Sequence, residues 1–269
     1  MNENIRSGHQ SAPLHGASAR RGASIGPRLL QAAWLALALA VICALSELLA
    51  GPAYRIGLIA LSPGLQTMRW AASAATIVFA MAAIAAWLAS RKQLNRAKVI
   101  FLLSSLIGLL AAAPPAFLWY RVQHLPHIHD ISTDTVNPPQ YVSVLPLREG
   151  APNSTRYDFK VAPLQLQAYP DVSTTILAAP PDQAFQKALR VAGDMGWKIV
   201  DANQSALRIE ATDTSLLFGF KDDVVVRISA AAGGSRIDLR SLSRVGGSDF
   251  GVNAKRILGF IARLKEAGN

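Results

Sequence analysis

Three apolar stretches of about 20 residues each dominate the first half of the chain, at residues 29–49, 70–89 and 99–120. An α-helix needs about 20 apolar residues to cross a hydrocarbon core of about 30 Å. Because backbone polar groups find no partners in lipid, isolated spanning segments must be helical. The sequence therefore predicts a three-helix transmembrane region over residues 29–121.

The net charge of +10 is concentrated around these stretches. Residues 1–28 carry +3 and residues 29–121 carry +6, which leaves only +1 for residues 122–269. The cations lie mainly in the N-terminal tail and in the second connection, and cytoplasmic segments carry such an excess. We therefore predict a disordered cytoplasmic tail over residues 1–28 and an extracytoplasmic domain over residues 122–269. Since the charge follows membrane topology, it does not indicate nucleic-acid binding.

Two residues within the apolar stretches could carry chemistry. Cys43 is the single cysteine of the chain, so an internal disulfide is excluded. Glu47 is the only acidic residue within a predicted span, and intramembrane acids are candidates for transport or proton relay. However, Glu47 lies about one turn from the predicted boundary, where it can reach water.

Residues 122–180 hold eight prolines and show no helical period. They predict an irregular arm laid over a core, with short extended pieces at residues 141–146 and 164–169. The rest of the domain has clear periods: a helix from Pro181 to Gly196, four strands, and a last helix that begins near Ser248. The four predicted strands cover residues 197–200, 206–212, 223–229 and 236–243.

This order of elements predicts an antiparallel sheet with helices packed on one face, an α+β two-layer sandwich. The alternation places Val224, Val226 and Ile228 against the helices. Arg227 points to the other face, in phase with polar side chains of the neighbouring strands. We expect that second face to be wet, as antiparallel sheets allow. The polar side chains expected beside Arg227 are Arg208, Glu210, Asp238 and Arg240.

One cluster of polar residues follows the third apolar stretch and contains His129, Asp130, Thr133 and Asp134. Imidazoles and carboxylates are ligands for transition metals. The alternative is a capped turn in which Asp130 or Asp134 accepts hydrogen bonds from backbone amides. The capped turn is the favoured interpretation, and we predict no metal site.

A second cluster surrounds the start of the last helix. A glycine turn that leads into a helix N-terminus can present amides to an anion. The alternative is that Ser248 and Asp249 cap the helix while the arginines pair with Asp222, Asp223, Asp238 or Asp249. The candidate ligand-binding residues are Arg240, Arg244, Ser248, Asp249, Asn253 and Arg256.

Several enzyme signatures are missing from the sequence. It contains no Walker-type phosphate loop and no dinucleotide fingerprint, so no cofactor is predicted. Ser241 and Ser243 lie near no candidate base, which leaves a Ser/His/Asp triad without support.

Four motifs, taken in order, resemble the family called domain of unknown function 1499. They are the segments 129–139 (HDISTDTVNPP), 168–171 (AYPD), 217–225 (LFGFKDDVV) and 243–257 (SRVGGSDFGVNAKRI). The resemblance covers roughly residues 128–265. It implies a bacterial envelope or thylakoid-associated setting and an N-terminal membrane anchor, but no established activity, substrate or cofactor. Val136 stands where many relatives are expected to carry a charge.

Two functions from different classes are therefore open. The leading hypothesis is a non-enzymatic interaction module of the bacterial inner membrane, with its C-terminal domain in the periplasm. Its partner would be a lipid headgroup, an anionic glycan or an envelope protein. The alternative is an envelope hydrolase or metal-dependent enzyme that uses His129, Asp130 and Asp134. Convergence of the two polar clusters in one concave pocket would favour an enzyme or a ligand site.

Overall fold

The computed structural model describes residues 16–266, with side chains described from residue 26 onward. The chain divides into two compact units. The first comprises residues up to Ala50 together with Leu61–Pro115, and the second comprises Gly51–Ala60 together with the residues from Ala116.

Three long helices form the N-terminal half: α1 (Gly16–Arg55), α2 (Leu61–Arg91) and α3 (Asn95–His124). Each has an apolar part of 30 or 31 residues, which is about 45 Å long at 1.5 Å per residue. This length suffices for the hydrocarbon core and the headgroup layers. The predicted three membrane-spanning helices are confirmed as long apolar helices.

The tail predicted over residues 1–28 overlaps the first helix. Because α1 begins at Gly16, residues 16–28 are helical, and the prediction of disorder is corrected for them. Ala, Arg and Gly each occur three times here, so helix propensity does not decide this segment. A helix nucleated in the apolar stretch extends outward because each added residue gains one hydrogen bond. Residues 1–15 lie outside the described part of the chain.

Small residues pack the helices of the first unit closely. Gly108 of α3 lies against the backbone of α2, where an added Cβ would be 2.9 Å from the carbonyl oxygen of Ala75. The Ser105 hydroxyl donates to the carbonyl of Phe79 across the same interface. Cys43 is buried among alanines of this unit. Such close contact is typical of membrane helices, whose association depends on van der Waals packing.

After α3, the described residues 125–266 form six strands, three α-helices and one short 3-10 helix. The segment that leads into the sheet supplies β1 (Asp130–Ser132), the 3-10 helix (Leu145–Arg148), α4 (Val161–Ala168) and β2 (Thr175–Leu177). The remaining elements are α5 (Pro181–Asp194), β3 (Lys198–Asn203), β4 (Arg208–Thr214), β5 (Lys221–Ala231), β6 (Gly234–Ser243) and α6 (Val252–Glu266).

The strands form one antiparallel sheet in the order β1-β6-β5-β4-β3, and β2 also pairs with β6. The predicted α+β architecture with an antiparallel sheet is confirmed, and the four long strands occur in the predicted order. The expected irregular arm is only partly irregular. It contributes β1 and β2 to the sheet, and residues 164–169, predicted as extended, lie largely in α4. Elements of three to eight residues are too short to show a reliable period.

The face of the sheet that carries Val224, Val226 and Ile228 packs against α5 and α6, as predicted. Phe185 of α5 and Phe260 of α6 are among the largest buried side chains there. Trp197 stacks on Phe260 with ring centroids 5.3 Å apart. This apolar core holds β5 and β6 rigidly, and the polar side chains of these strands extend from its opposite side.

Candidate functional site

The centre of the second face of the sheet is buried, which corrects the expectation of a wet face, and only its rim is partly exposed. Glu210, Asp223 and Arg240 are all 0% exposed. The strand register is as predicted, because Arg227 lies between Arg208 and Asp238. However, the segment between β1 and α4 lies over this face and brings Tyr141 and Val144 onto it. The polar face is therefore an interior layer, and its charges must be paired within the domain.

Arg240 forms a two-point ion pair with Asp130 of β1. Its Nε lies 2.9 Å from Oδ1 of Asp130, and its Nη2 lies 2.7 Å from Oδ2. The guanidinium lies between the rings of Tyr141 and Tyr157, 5.0 and 5.2 Å from their centroids. Arginine favours such two-point and stacked arrangements. Arg240 is thus fully occupied by partners within the chain.

The pKa values around this pair reflect burial and charge. Burial opposes the charge of Arg240, but the hydrogen bonds from its guanidinium to Asp130, the negative charge of Asp130 and the two tyrosines together outweigh burial and raise the pKa of Arg240. Burial, followed by the negative charge of Asp130, raises the pKa of Tyr157 to about 12. Burial also raises the pKa of Tyr141 well above its usual value. Both phenols therefore stay protonated at neutral pH and cannot act as bases.

A second buried group centres on Asp223. Arg244 donates to both carboxylate oxygens, with distances of 2.9 and 2.8 Å. Arg148 of the 3-10 helix donates to the same carboxylate. It belongs to residues 133–160, the segment between β1 and α4 that lies over the second face of the sheet and that we call the covering segment. The Thr212 hydroxyl adds a hydrogen bond of 2.7 Å. The sequence analysis named Asp223 as a partner for the arginines, and the contact with Arg244 agrees with that alternative. Arg148 carried no periodic signal and was missed.

The Glu210 side chain binds the backbone of the covering segment. Its carboxylate accepts hydrogen bonds from the amides of Val142 and Val144, at distances from 2.9 to 3.1 Å. Its Oε1 also lies 2.8 Å from Nε of Arg208. A buried carboxylate with several amide donors is well compensated. Glu210 therefore fixes the path of the segment over the sheet.

Asp134 lies in a capped turn, as the favoured interpretation predicted. Its Oδ1 accepts hydrogen bonds from the amides of Val136 and Asn137 at 3.1 and 2.8 Å. Its Oδ2 pairs with Arg227 and Arg236 at 3.0 and 2.8 Å. The carboxylate thus has donors on both oxygens.

The neighbouring carboxylate of Asp238 pairs with the same two arginines. The hydroxyls of Thr133 and Thr174 also donate to it. Burial alone would raise the pKa of Asp238, but the hydrogen bonds from Arg236, Thr174 and Arg227 together lower it. Asp238 is therefore the ionised centre of a fully paired group.

The turn before α6 is capped by Asp249. Its carboxylate accepts hydrogen bonds from the amides of Gly251 and Asn253 at 3.0 and 2.7 Å, and the Ser248 hydroxyl accepts one from Phe250 at 3.3 Å. Burial raises the pKa of Asp249, and the two amides oppose that shift. The amides that an anion would need already bind a carboxylate of the chain.

Asn253 and Arg256 complete a polar group beside α6. The Asn253 amide nitrogen donates to the carbonyl of His129 at 3.0 Å, and its Oδ1 accepts from the Ser241 hydroxyl at 2.7 Å. Arg256 pairs with Asp213 and Asp222 at 2.8 and 2.6 Å. This again matches the ion-pair alternative of the sequence analysis.

The two predicted clusters lie side by side, joined by the ion pair of Arg240 with Asp130 and by hydrogen bonds to the backbone. The amide of Asp249 donates to the carbonyl of Ile128 at 3.0 Å, and that of Ser243 donates to the carbonyl of His129. The His129 ring lies 3.5 Å from the carbonyl of Gly247. Asp130 binds Arg240 of the second cluster, whereas Asp249 binds the amides of its own turn. Within the part of the chain whose side chains are described, no group of three or more His, Cys, Asp or Glu residues could hold a metal.

An open cavity of about 540 Å³ lies between β2 and α6. Ile176 of β2 together with Leu258 and Ile261 of α6 supply apolar surface, and Asp171 and Lys265 supply opposite charges. The sequence analysis missed this cavity because it predicted no strand at β2. The two prolines that follow β2 mark a boundary, but three residues give no alternation.

The chain joins three helices long and apolar enough to cross a membrane to an α+β domain with an internally paired polar layer, an arrangement that suggests a membrane protein. Residues 130–264 match the family model described as "Protein of unknown function (DUF1499)". The chain belongs to this family, as the four motifs indicated. No curated protein matches the chain at a significant level.

Proposed function

We propose that this chain is a membrane-anchored interaction module of the bacterial inner membrane. In this proposal, its N-terminal tail is cytoplasmic and its C-terminal domain lies in the periplasm. Support comes from the cations of the tail and of the connection between α2 and α3, which carry most of the positive charge beside the spans. Such segments stay on the cytoplasmic side.

Reporter fusions test this orientation. A reporter that is active only in the periplasm should be active when fused after Asn269. The same reporter should be silent when inserted between Arg91 and Arg96, and a cytoplasmic reporter should give the opposite pattern. Periplasmic activity in the Arg91–Arg96 connection would contradict the orientation.

The observation that supports interaction rather than catalysis is the internal pairing of the charged side chains. Arg240, Arg244 and Arg256 each bind a carboxylate of the domain. These three arginines therefore hold the covering segment and α6 to the sheet. Asp130 and Asp134, the acids of the alternative enzyme hypothesis, are paired with Arg240 and with Arg227 and Arg236, and a catalytic acid or base must reach its substrate.

The surface assigned to the partner is the cavity between β2 and α6. β2 is hydrogen-bonded to β6 as a short edge strand, and Ile176 is exposed beside it. Exposed strand edges pair readily with an extended segment of another chain. The apolar surface of Leu258 and Ile261 would receive side chains of that segment, and the charges of Asp171 and Lys265 would set its direction.

Site-specific crosslinking in cells tests this surface. A photoreactive amino acid at Ile176 should give a discrete crosslinked product, and the same amino acid at the exposed Arg190 of α5 should not. Lys265→Glu should weaken the product at Ile176 because it reverses a charge at the cavity. Products of equal intensity at both positions, or none at Ile176, would remove the cavity from the proposal.

An anionic envelope component is the ligand class predicted from the sequence for the turn before α6. Because Asp249 already binds the amides of that turn, such a ligand would have to bind through an arginine side chain. Arg244 is the candidate with a partly accessible side chain there. Vesicles of anionic lipid should retain the full chain in a salt-sensitive manner that Arg244→Ala weakens. If Arg244→Ala instead lowers only the melting temperature, then the arginine is structural and this ligand class is excluded.

A further inference from the structure

The connection between β4 and β5, residues 215–220, is a closed and well-ordered turn that we call the tip loop. The amide of Ser215 donates to the carbonyl of Phe220 at 2.8 Å, and the amide of Gly219 donates to the carbonyl of Ser215 at 3.0 Å. The amide of Phe220 also donates to the Ser215 hydroxyl at 2.9 Å. Gly219 has a φ of +66°, which glycine adopts without strain. The loop therefore presents its side chains in a defined arrangement.

The tip loop packs on the connection Gly51–Ala60, which belongs to the same compact unit. A Cβ added at Gly51 would lie 2.6 Å from Cγ of Leu217, so glycine is needed for this close approach. Nη1 of Arg55 donates to the carbonyl of Leu216 at 3.3 Å.

Aromatic rings complete the base of the tip loop. The ring of Tyr54 lies 6.0 Å from those of Phe218 and Phe220, measured between centroids. Phe218 and Phe220 stack on each other with centroids 5.1 Å apart. Packing of this kind joins the loop firmly to the connection, so the two segments share one location along the membrane normal.

The connection lies at the end of a membrane span because it contains the last five residues of α1 and the residues that follow them. The apolar part of α1 runs from Gly26 to Arg55. At 1.5 Å per residue its length of about 45 Å reaches through the headgroup layer. Residues 56–61 continue as Ile-Gly-Leu-Ile-Ala-Leu, with no charged residue. A connection of this composition is suited to the interface between lipid and water.

The tip loop and the connection both expose large apolar side chains. Leu216 is 91% exposed, Ile56 is 77% exposed and Leu58 is 73% exposed. Single apolar side chains on a surface need no explanation. Here three large ones occur in two segments that contact each other, beside the end of a membrane helix, and Arg55 accompanies them.

We infer that the tip loop inserts into the leaflet on the domain's side of the membrane, with Leu216 among the lipid chains and Arg55 at the level of the phosphates. Lipid is the occupant because the connection that contacts the tip loop continues the membrane-length part of α1 directly along the chain. Arginine at such a boundary reaches the headgroups while its stem lies along apolar surface. This inference goes beyond the proposed function and holds whichever side of the membrane the domain lies on.

Fluorescence depth measurement tests the inference in the full chain, reconstituted in lipid nanodiscs. The background is Cys43→Ala, which removes the single native thiol. An environment-sensitive fluorophore is attached at Leu216→Cys, or at Leu58→Cys as a reference beside the span. Val136→Cys serves as the matched control, because Val136 is 85% exposed on another turn of the domain.

The expected result at Leu216 is a blue-shifted emission that lipids brominated in their acyl chains quench strongly, as at Leu58. The fluorophore at Val136 should keep its aqueous emission and remain unquenched. Aqueous emission at Leu216 would overturn the inference, and so would a blue shift without lipid quenching, since a protein surface would then cover the loop. Equal quenching at Leu216 and Val136 would overturn it too, because the fluorophore itself would then enter the bilayer.

Discussion

The two faces of the sheet are stabilised by different physics, although both are buried. One face packs against α5 and α6 through apolar side chains such as Ile237 and Phe260. The other carries Asp223 and Arg240, which bind partners in the segment that covers it. An apolar face is stabilised in proportion to the surface removed from water. A charged face is stable only if each charge has its partner in the correct place.

This difference determines how each face responds to mutation. Apolar packing tolerates small changes of shape, because neighbouring side chains adjust and the loss scales with the atoms removed. A buried ion pair tolerates loss of one partner badly, because an uncompensated charge is left behind. The charged face therefore specifies one path for the covering segment, and the apolar face specifies mainly that something apolar must cover it.

The largest expected effect comes from Asp223→Asn, which removes a charge and almost no volume. Arg148 and Arg244 would keep buried positive charges without their shared carboxylate. We expect the free energy of opening of β5 and β6 to fall by about 3–5 kcal/mol. Hydrogen exchange of the full chain in nanodiscs measures it, with the exposed Asp171→Asn as control. A loss as small as that of the control would contradict the comparison.

The next effect is the recovery expected in a double variant. Asp130→Leu alone leaves Arg240 without its carboxylate partner and should cost about 3–5 kcal/mol. The double variant Asp130→Leu with Arg240→Met replaces both charges by apolar side chains and should regain most of that loss, because the desolvation cost disappears. The same hydrogen-exchange measurement gives both values. A double variant less stable than Asp130→Leu would show that the pair contributes more than mutual neutralisation.

On the apolar face, a comparably conservative change should cost less. Ile237→Val removes one buried methyl group and should lower the opening free energy by about 0.5–1.5 kcal/mol. Ile237 is directly comparable with Asp223 because both are fully buried in the central strands. A loss for Ile237→Val equal to that for Asp223→Asn would remove the distinction between the two faces.

The pH dependence should also originate on the charged face. Asp238 has a lowered pKa in the folded domain, so the unfolded chain binds its proton more readily. The contribution of Asp238 to stability is present above its pKa in the unfolded chain, about 3.9, and is lost as the pH falls through its pKa in the folded domain. Asp249, whose pKa is raised, contributes the opposite slope.

The test measures the stability of the native chain and of Asp238→Asn between pH 3 and pH 6, in buffers of constant ionic strength. Stability of the native chain should decline towards low pH more steeply than that of the variant. Identical curves would mean that protonation of Asp238 does not affect the stability of the folded domain.

The smallest effect is expected at the accessible rim of the charged face. Arg236 is partly exposed, and Asp238 keeps Arg227 when Arg236 is removed. Arg236→Gln should therefore change the opening free energy by less than about 1 kcal/mol. A much larger loss would extend the buried, intolerant region to the edge of the sheet.

The sequence by itself determined the elements whose signal is local. A membrane span is recognised from its own length and hydropathy, so all three long helices were predicted. The periods of α5, β3 to β6 and α6 were also readable, because alternation or helical spacing repeats several times within each element. That alternation alone predicted that Arg227 and Asp238 lie on the same face of the sheet, and the observed strand register agrees.

Only the tertiary structure decided what lies over the charged face. A strand with alternating charges has the same sequence pattern whether water or buried partners cover those charges. The sequence therefore allowed Arg240 to be predicted as a ligand-binding residue. Its partner Asp130 lies 110 residues earlier in the chain. The strands β1 and β2 have three residues each and exist because β6 offers its edge. Burial and pairing depend on contacts distant in sequence, whereas hydropathy and period do not.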